Sequence, residues 1–322
     1  MQDLSTLAAL YELRFPSSTF DYEPKSLYEP VMHIMSIPGK RIRPLLLLLS
    51  CDAFGGDPKT VLEQAYAMEI FHNFTLVHDD IMDHADLRRG KPTVHKIYGL
   101  NAGILAGDVM LSYAYKYIST VKLEYLRQIL DLFNNTSIEI YEGQQMDVDF
   151  EQRMDVSIAE YLKMITYKTS VLLACSLQIG AIAAGADEKD QQQIYQFGLN
   201  LGLSFQIKDD WLDTFGDAHK VGKTIGGDII QNKKTYLLIT LLNQADEVDK
   251  KTIAGLLQQT DNITKVAGVM ALYHKYKVSE QTLEKAESLY QESINSLDKV
   301  SITTSQKANL YKMAELVNNR QF

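Results

Sequence analysis

Proline is missing from most of this chain. All seven prolines (16, 24, 30, 38, 44, 58 and 92) fall within the first 92 of 322 residues, so little interrupts helices in the 230 that follow. Cysteine is scarcer: Cys51 and Cys175 stand far apart in apolar stretches, which argues for buried free thiols and a reducing, cytoplasmic setting rather than a disulfide or thiolate metal site. An excess of positive charge is also lacking. With 32 Lys and Arg against 41 Asp and Glu, the net charge of −9 excludes a broad electrostatic hold on nucleic acid or anionic lipid. Any basic site has to be concentrated. The strongest apolar run, PLLLLLS at 44–50, is too short to span a bilayer, and residues 1–20 lack a basic segment followed by an apolar one. The expectation is a soluble protein without stable membrane insertion. Alternating strand patterns, low-complexity tracts, fixed-period repeats and linker-like breaks are nearly absent, which predicts one all-α domain over 1–322.

What is present is helical periodicity. Asp57 and Pro58 form a start signal, and 58–83 reads as one helix. Apolar residues then recur at three and four spacing, through AGILAGDVMLSYAYKYI, IAEYLKMITYKTSVLLACSLQIGAIAAG and IYQFGLNLGLSFQIKDDWLD among others. The longest polar, glycine-bearing stretch, 214–232, reads as a functional loop.

Two helices end in acid triads: Asp79, Asp80 and Asp83, then Asp209, Asp210 and Asp213. Residues four apart project from one helical face about 6 Å apart along the axis, so the outer carboxylates repel each other. The negative end of the helix dipole worsens the position unless a cation neutralises it. One such triad alone reads better as a solvated acidic surface; two, at the ends of apolar helices, point to a bound cation. Oxygen ligands without Cys and with few His suit Mg²⁺ shared with substrate phosphates. Arg88 and Arg89 follow the first triad at once and suit the remaining diphosphate oxygens. Further cations gather in GKRIRP (Lys40, Arg41, Arg43), at Lys168 beside Thr169, and at Lys223, Lys233 and Lys234.

From GKRIRP through HNFTLVHDDIMDHADLRRGKPTVH, GDVMLSYAY, EGQQMD, YKTS, FQIKDDWLD and GKTIGGDIIQNKKTY, about 200 residues in order, the chain resembles the head-to-tail trans-isoprenyl diphosphate synthases, or polyprenyl synthetases. The resemblance implies the class I isoprenoid-synthase fold, a bundle of long helices around a deep central cavity, with three Mg²⁺ ions and a homodimer. It implies that Asp79, Asp83 and Asp209 ligate metal, with Asp80, Asp210 and Asp213 in support. Arg88, Lys168, Lys223 and Lys233 (or its neighbour Lys234) match positions that grip the allylic diphosphate. Lys40, Arg43, His72 and Arg89 match those that bind isopentenyl diphosphate. Gln206, Thr169 and the Lys168 carbonyl match groups that stabilise the allylic cation, and Gln144 with Asp147 matches a segment beside the site.

The implied activity is condensation of isopentenyl diphosphate with allylic diphosphates. A class I terpene cyclase should lack the isopentenyl cradle, and a non-catalytic partner subunit should carry degenerate aspartates; neither feature is seen. For product length, Phe71, Thr75, Asp79 and Asp83 form an i, i+4 row with Phe74 beside it, so these residues are expected deeper along the tail cavity. An aromatic at Phe74 with a small Thr75 resembles enzymes that make the C20 product, whereas Phe71 leaves C15 open.

Overall fold

The computed structural model describes residues 2–216 and 226–319. The all-α expectation holds. The N-terminal half runs through α1 (Leu4–Arg14), α2 (Lys25–Ser36), α3 (Ile42–Ala53), α4 (Leu62–Met82), α5 (Val94–Tyr98), α6 (Leu100–Ile118) and α7 (Leu123–Glu151). Next come α8 (Ile158–Ile165), α9 (Val171–Ala183), α10 (Glu188–Phe215), α11 (Gly227–Ile230), α12 (Tyr236–Gln244), α13 (Glu247–Leu257), α14 (Asn262–Lys275), α15 (Val278–Asp298) and α16 (Thr304–Asn319). The only strands among the described residues, β1 (Leu87–Arg88) and β2 (Lys91–Pro92), form a minimal antiparallel hairpin between α4 and α5.

The bundle forms because long proline-free helices bury apolar faces on one another: α4 along α6, α3 along α9, and α10 along both α9 and α15. The main core draws on most of α3, including Leu46, Leu47 and Leu48, and on Phe71, Phe133 and Phe197 from longer helices. A satellite core under α12–α14 packs Leu237, Leu241, Val269 and Tyr273 against Ile229. The stretch Ile158–Ala183 is long and apolar enough to cross a membrane, but most of it is buried inside the bundle. Both cysteines are buried free thiols, and burial pushes each thiol up to about 12.

Two local departures from the expected helices shape the site. The span read as one helix over 58–83 is a 3₁₀ turn, Pro58–Val61, followed by α4, because Asp57 caps the Lys59 N–H and starts a tighter turn. The α4 terminus is sharply defined: His84 turns left-handed at φ 51°, and the Ala85 N–H bonds back to the Asp80 carbonyl at 2.9 Å. Between α8 and α9 the chain makes a π-helical turn, Thr166–Ser170, where plain α-helix was expected. Gly143 of α7 and Gly202 of α10 hold that turn from two sides. A Cβ on Gly143 would lie 2.4 Å from the Lys168 nitrogen, and one on Gly202 would lie 2.7 Å from the Ser170 Cα.

Candidate functional site

The α4 end, the π turn and the α10 end surround one cavity of about 820 Å³. Its wall collects Asp79 and Asp83 from α4 and its cap, and Asp209, Asp210 and Asp213 from α10. Lys40, Arg43, His72, Arg88, Arg89, Lys168, Thr169, Gln206 and Lys233 line the same space. Asp80 and Gln144 do not line it, and Lys223 lies outside the described residues.

The first triad is divided by burial. Asp80, 1% exposed, turns inward and accepts from Arg88 Nε at 3.0 Å and Nη2 at 2.5 Å, while its Oδ2 has no partner. Burial raises its pKa, and the Arg88 bond offsets part of the rise. Asp79 faces the cavity. Burial pushes it up to about 6 against the pull of Lys168, and repulsion from Asp83 adds to the rise. The second triad divides the same way. Asp210 is buried, accepts from Tyr161 Oη at 2.6 Å and Gln206 Nε2 at 3.1 Å, and is pushed up to about 7 by burial and by Asp228. Thr169 Oγ1 donates to Gln206 Oε1 at 3.1 Å, so the π turn and the second triad share one hydrogen-bonded chain. Asp213 accepts the Asp228 N–H at 2.9 Å.

The cations form two groups. Lys168 pairs with Asp147 at 2.5 Å on the triad side, and Lys233 stands 3.9 Å from Asp228. Burial opposes the Lys233 charge, yet Asp228, Asp147 and Asp83 hold its pKa above the ordinary value. Lys234 is tied to backbone, donating to the Asn232 carbonyl at 3.0 Å and the Glu151 carbonyl at 3.4 Å. Both lysines line the cavity, but only Lys234 is held by backbone carbonyls.

The other group centres on the 38–43 loop. Arg89 donates to the Pro38 carbonyl at 2.9 Å beside Gly39. The half-buried Arg43 has a buried, partnerless Nε, and desolvation brings its pKa down to about 10. His72 is held neutral, well below its usual range, by burial and by Arg43, Arg89 and Arg88. An unsatisfied guanidinium donor beside a cavity suits an anion.

Arg88 and Arg89 are neighbours that reach different groups because the hairpin separates them. Arg88 lies in a strand opposite Lys91, and Arg89 and Gly90 form the two-residue turn with φ of 50° and 74°.

Product-length residues stand differently from their expected places. Thr75 and Leu76 line the cavity, with Ile140, Leu172 and Leu173 also on its wall. Phe71 and Phe74 do not: they pack behind it, with ring centroids 5.5 Å apart, against Phe133 and Tyr141. The reason is angular. At 3.6 residues per turn, Thr75 lies about 40° from Asp79 around the helix, Phe71 about 80° and Phe74 about 140°. Gln144 is likewise buried off the cavity, with neither amide atom partnered.

Sequence reasoning missed Tyr161, Asp228 and Glu69, all on the wall. Tyr161 precedes Lys168 by seven residues, a helical spacing that could have exposed it. Glu69, 4% exposed, accepts from Arg41 Nη1 at 2.5 Å and Asn73 Nδ2 at 2.9 Å, placing one buried carboxylate among the 38–43 loop cations.

A bundle of long helices around a deep cavity, its rim built from the ends of two of them, is the class I isoprenoid-synthase fold. The chain belongs to the polyprenyl synthetase family, whose profile matches residues 24–274. It is 39% identical over 280 residues to a geranylgeranyl diphosphate synthase of Sulfolobus acidocaldarius, covering 85% of this chain and 84% of that one. Identity to a geranylfarnesyl diphosphate synthase of Natronomonas pharaonis is 38% over 245 residues, 70% and 72% of the two chains. A crystal structure of geranylgeranyl pyrophosphate synthase superposes with a TM-score of 0.93 at 42% identity, over 99% of both chains.

Proposed function

We propose that this protein, acting as a single domain, condenses isopentenyl diphosphate head-to-tail with allylic diphosphates and releases mainly the C20 product, geranylgeranyl diphosphate. The observation that carries this reading is the meeting of five aspartates from the two triads and two cation groups on one cavity with an apolar wall. The geranylgeranyl names of several relatives support the C20 length, although geranylfarnesyl synthases are among the relatives too.

Among the described residues no three His, Cys, Asp or Glu side chains converge as a complete metal cage. Mg²⁺ is commonly held by one or two carboxylates plus phosphate oxygens, so paired acids on the cavity fit it. Asp79, Asp83 and Asp209 would hold three such ions, which supply the charge that neutralises a departing diphosphate. Asp80, Asp210 and Asp213 orient the neighbouring groups, and Asp147 braces the π turn through Lys168. Arg88, Lys168 and Lys233 grip the allylic diphosphate, as Lys223 does in the resemblance. Lys40, Arg43, His72 and Arg89 hold isopentenyl diphosphate.

The allylic C–O bond breaks with its electron pair leaving on the diphosphate. Gln206 Oε1, the Thr169 hydroxyl and the Lys168 carbonyl present negative dipole ends to the cation. The isopentenyl alkene supplies the pair for the new C–C bond, and a proton passes to an oxygen of the released diphosphate. The apolar wall at Leu76, Ile140 and Leu172 keeps water from quenching the cation.

The deciding experiment incubates the protein with Mg²⁺, isopentenyl diphosphate and each allylic primer, then identifies the products. Geranylgeranyl diphosphate is expected. A cyclic hydrocarbon, or no turnover with any primer, would overturn the reading, and a C15 end product would correct its length.

Phe74, backing the wall through Phe71 and Tyr141, is proposed to limit the product by keeping Thr75 and Ile140 in place. Phe74→Ala is expected to shift the major product from C20 to C25, and Phe71→Ala to lengthen it further only in the double variant. A cavity of this kind costs about 3–5 kcal/mol, so folding is checked first by circular dichroism. An unchanged distribution from a folded variant would leave the wall residues alone as the floor.

A homodimer is proposed through α6 and α7, where Leu100, Ile104, Leu105, Ile138, Tyr141 and Val148 are exposed. Ile138, Tyr141 and Val148 share one face of α7. Light scattering is expected to give the mass of two chains; a single-chain mass at micromolar concentration would refute this.

A further inference from the structure

Lys265 is a buried lysine far in sequence from every acid and cation named above. It sits in the first turns of α14, 4% exposed, at the edge of the satellite core that holds Ile229, Leu257 and Val269. Its Nζ donates to the Ile230 carbonyl at 2.9 Å. That carbonyl ends α11, where helix-final oxygens lack backbone donors and a cation suits the negative end of the peptide dipoles. The neighbouring bonds leave it open: the Asn232 N–H goes to the Ile229 carbonyl and the Lys233 N–H to that of Asp228.

The segment that Lys265 holds leads straight to the site. At its start, the Gly226 N–H bonds to the Asp213 carbonyl at 2.7 Å, and the Asp228 N–H to Asp213 Oδ2 at 2.9 Å. Gly226, at φ +78°, passes under Val266, where an added Cβ would lie 3.0 Å from that side chain. At its end, Asn232 adopts φ 57° and donates to the Leu257 carbonyl at 3.1 Å, after which Lys233 turns into the cavity. Residues 226–233 are thus clamped between α10 on one side and the α13–α14 pair on the other. An ammonium with one carbonyl partner is a poor choice for packing alone, since burying a charge is costly and an apolar side chain would fill the space.

We infer that Lys265 is a positioning residue that sets Asp228 and Lys233 at the cavity, and through them the grip on the allylic diphosphate. The inference rests on the prenyltransferase reading proposed above. It also gives the satellite core a purpose: α13 and α14 brace one wall of the reaction chamber.

The test titrates the full-length protein with Mg²⁺ and farnesyl thiodiphosphate, which resists ionisation, and separately with isopentenyl diphosphate. Lys265→Met is expected to weaken the thiodiphosphate about tenfold, the scale of one charge-assisted contact, and isopentenyl diphosphate less than about twofold. Lys265→Arg should restore most of the loss. In a Lys233→Ala background, Lys265→Met should add less than about twofold, because the group it positions is gone. Equal losses for both ligands, a parent-like thiodiphosphate affinity, or a full tenfold loss persisting without Lys233 would each overturn the inference. Should Lys265→Met fail to fold by circular dichroism, Lys265→Gln, which keeps a shorter donor, is read by the same criteria. Absence of turnover in the parent with every allylic primer would instead refute the prenyltransferase reading, so the two failures are distinguishable.

Discussion

Asp79→Asn lowers turnover by about 10²–10³-fold or more, the scale on which one charge-stabilising group is lost from a reaction centre, and leaves the fold intact. Asp209→Asn is expected to do the same from the opposite side of the cavity. Stability should move the other way in the metal-free protein. Burial and the neighbouring Asp83 push Asp79 up to about 6 despite Lys168, above the value near 4 of an unfolded aspartate. A carboxyl with a raised folded pKa contributes stability that is fully present below the unfolded pKa and is lost as pH rises through the folded one. The parent is therefore expected to lose stability relative to Asp79→Asn between pH 4 and 6. By pH 7 the variant should be more stable by about 2 kcal/mol, with the difference vanishing near pH 4. Thermal melts at pH 4, 5.5 and 7 in the presence of a chelator measure this. Near-parent turnover of both variants at saturating Mg²⁺ would refute the metal assignment, and a pH-independent stability difference would refute the electrostatic origin of the effect.

The second large effect is expected from the adjacent arginines. Arg89→Ala should raise KM for isopentenyl diphosphate about 10–100-fold, the loss of one or two charge-assisted bonds, with the allylic KM little changed. Arg88→Ala should raise the allylic KM on the same scale and spare isopentenyl diphosphate. The structure separates them: Arg88 lies on Asp80 within the first triad, whereas Arg89 lies on the Pro38 carbonyl beside the 38–43 loop. Arg88→Ala also strips Asp80 of its partner while the carboxyl stays buried, so a lower melting temperature is expected for that variant alone. Steady-state kinetics with each substrate varied in turn decides the matter. Equal KM changes for both substrates in both variants would refute the division into two cradles.

Much of the site was legible from types and spacing. Both acid triads, Lys40, Arg43, Lys168, Thr169 and Lys233 stood out in the chain by type and spacing, while His72 and Gln206 came with the family resemblance, and the fold gathers them on one cavity, with Asp80 just behind its wall. The misplacements share a physical origin. Phe71 was read along an i, i+4 row with Phe74 beside it, but each four-residue step overshoots a full turn by about 40°, so the row winds off the cavity within two steps, and Phe74, five residues from Asp79, points about 140° away. The π turn at 166–170 carries no composition that departs from an ordinary helix. It shows only once Gly143 and Gly202 bring α7 and α10 against it. Lys233 and Lys234 are indistinguishable as neighbours and separate only when Lys234 finds two backbone carbonyls.

The sequence by itself determined that this protein is helical, because a chain with no proline after residue 92 and apolar residues at helical spacing has few other ways to bury its surface. It also determined which residues carry charge at the helix ends, since four-residue spacing sets a shared face whatever the helix later meets. Only the tertiary structure decided which of two adjacent side chains turns inward, as with Asp79 and Asp80 or Thr75 and Phe74, and which partner each neighbour reaches, as with Arg88 and Arg89. Local periodicity defines the faces of a helix relative to one another, but not which neighbour each face will meet. That is set by the phase at which distant helices pack, through contacts such as Tyr161 on Asp210 and Lys265 on Ile230 that no local spacing encodes.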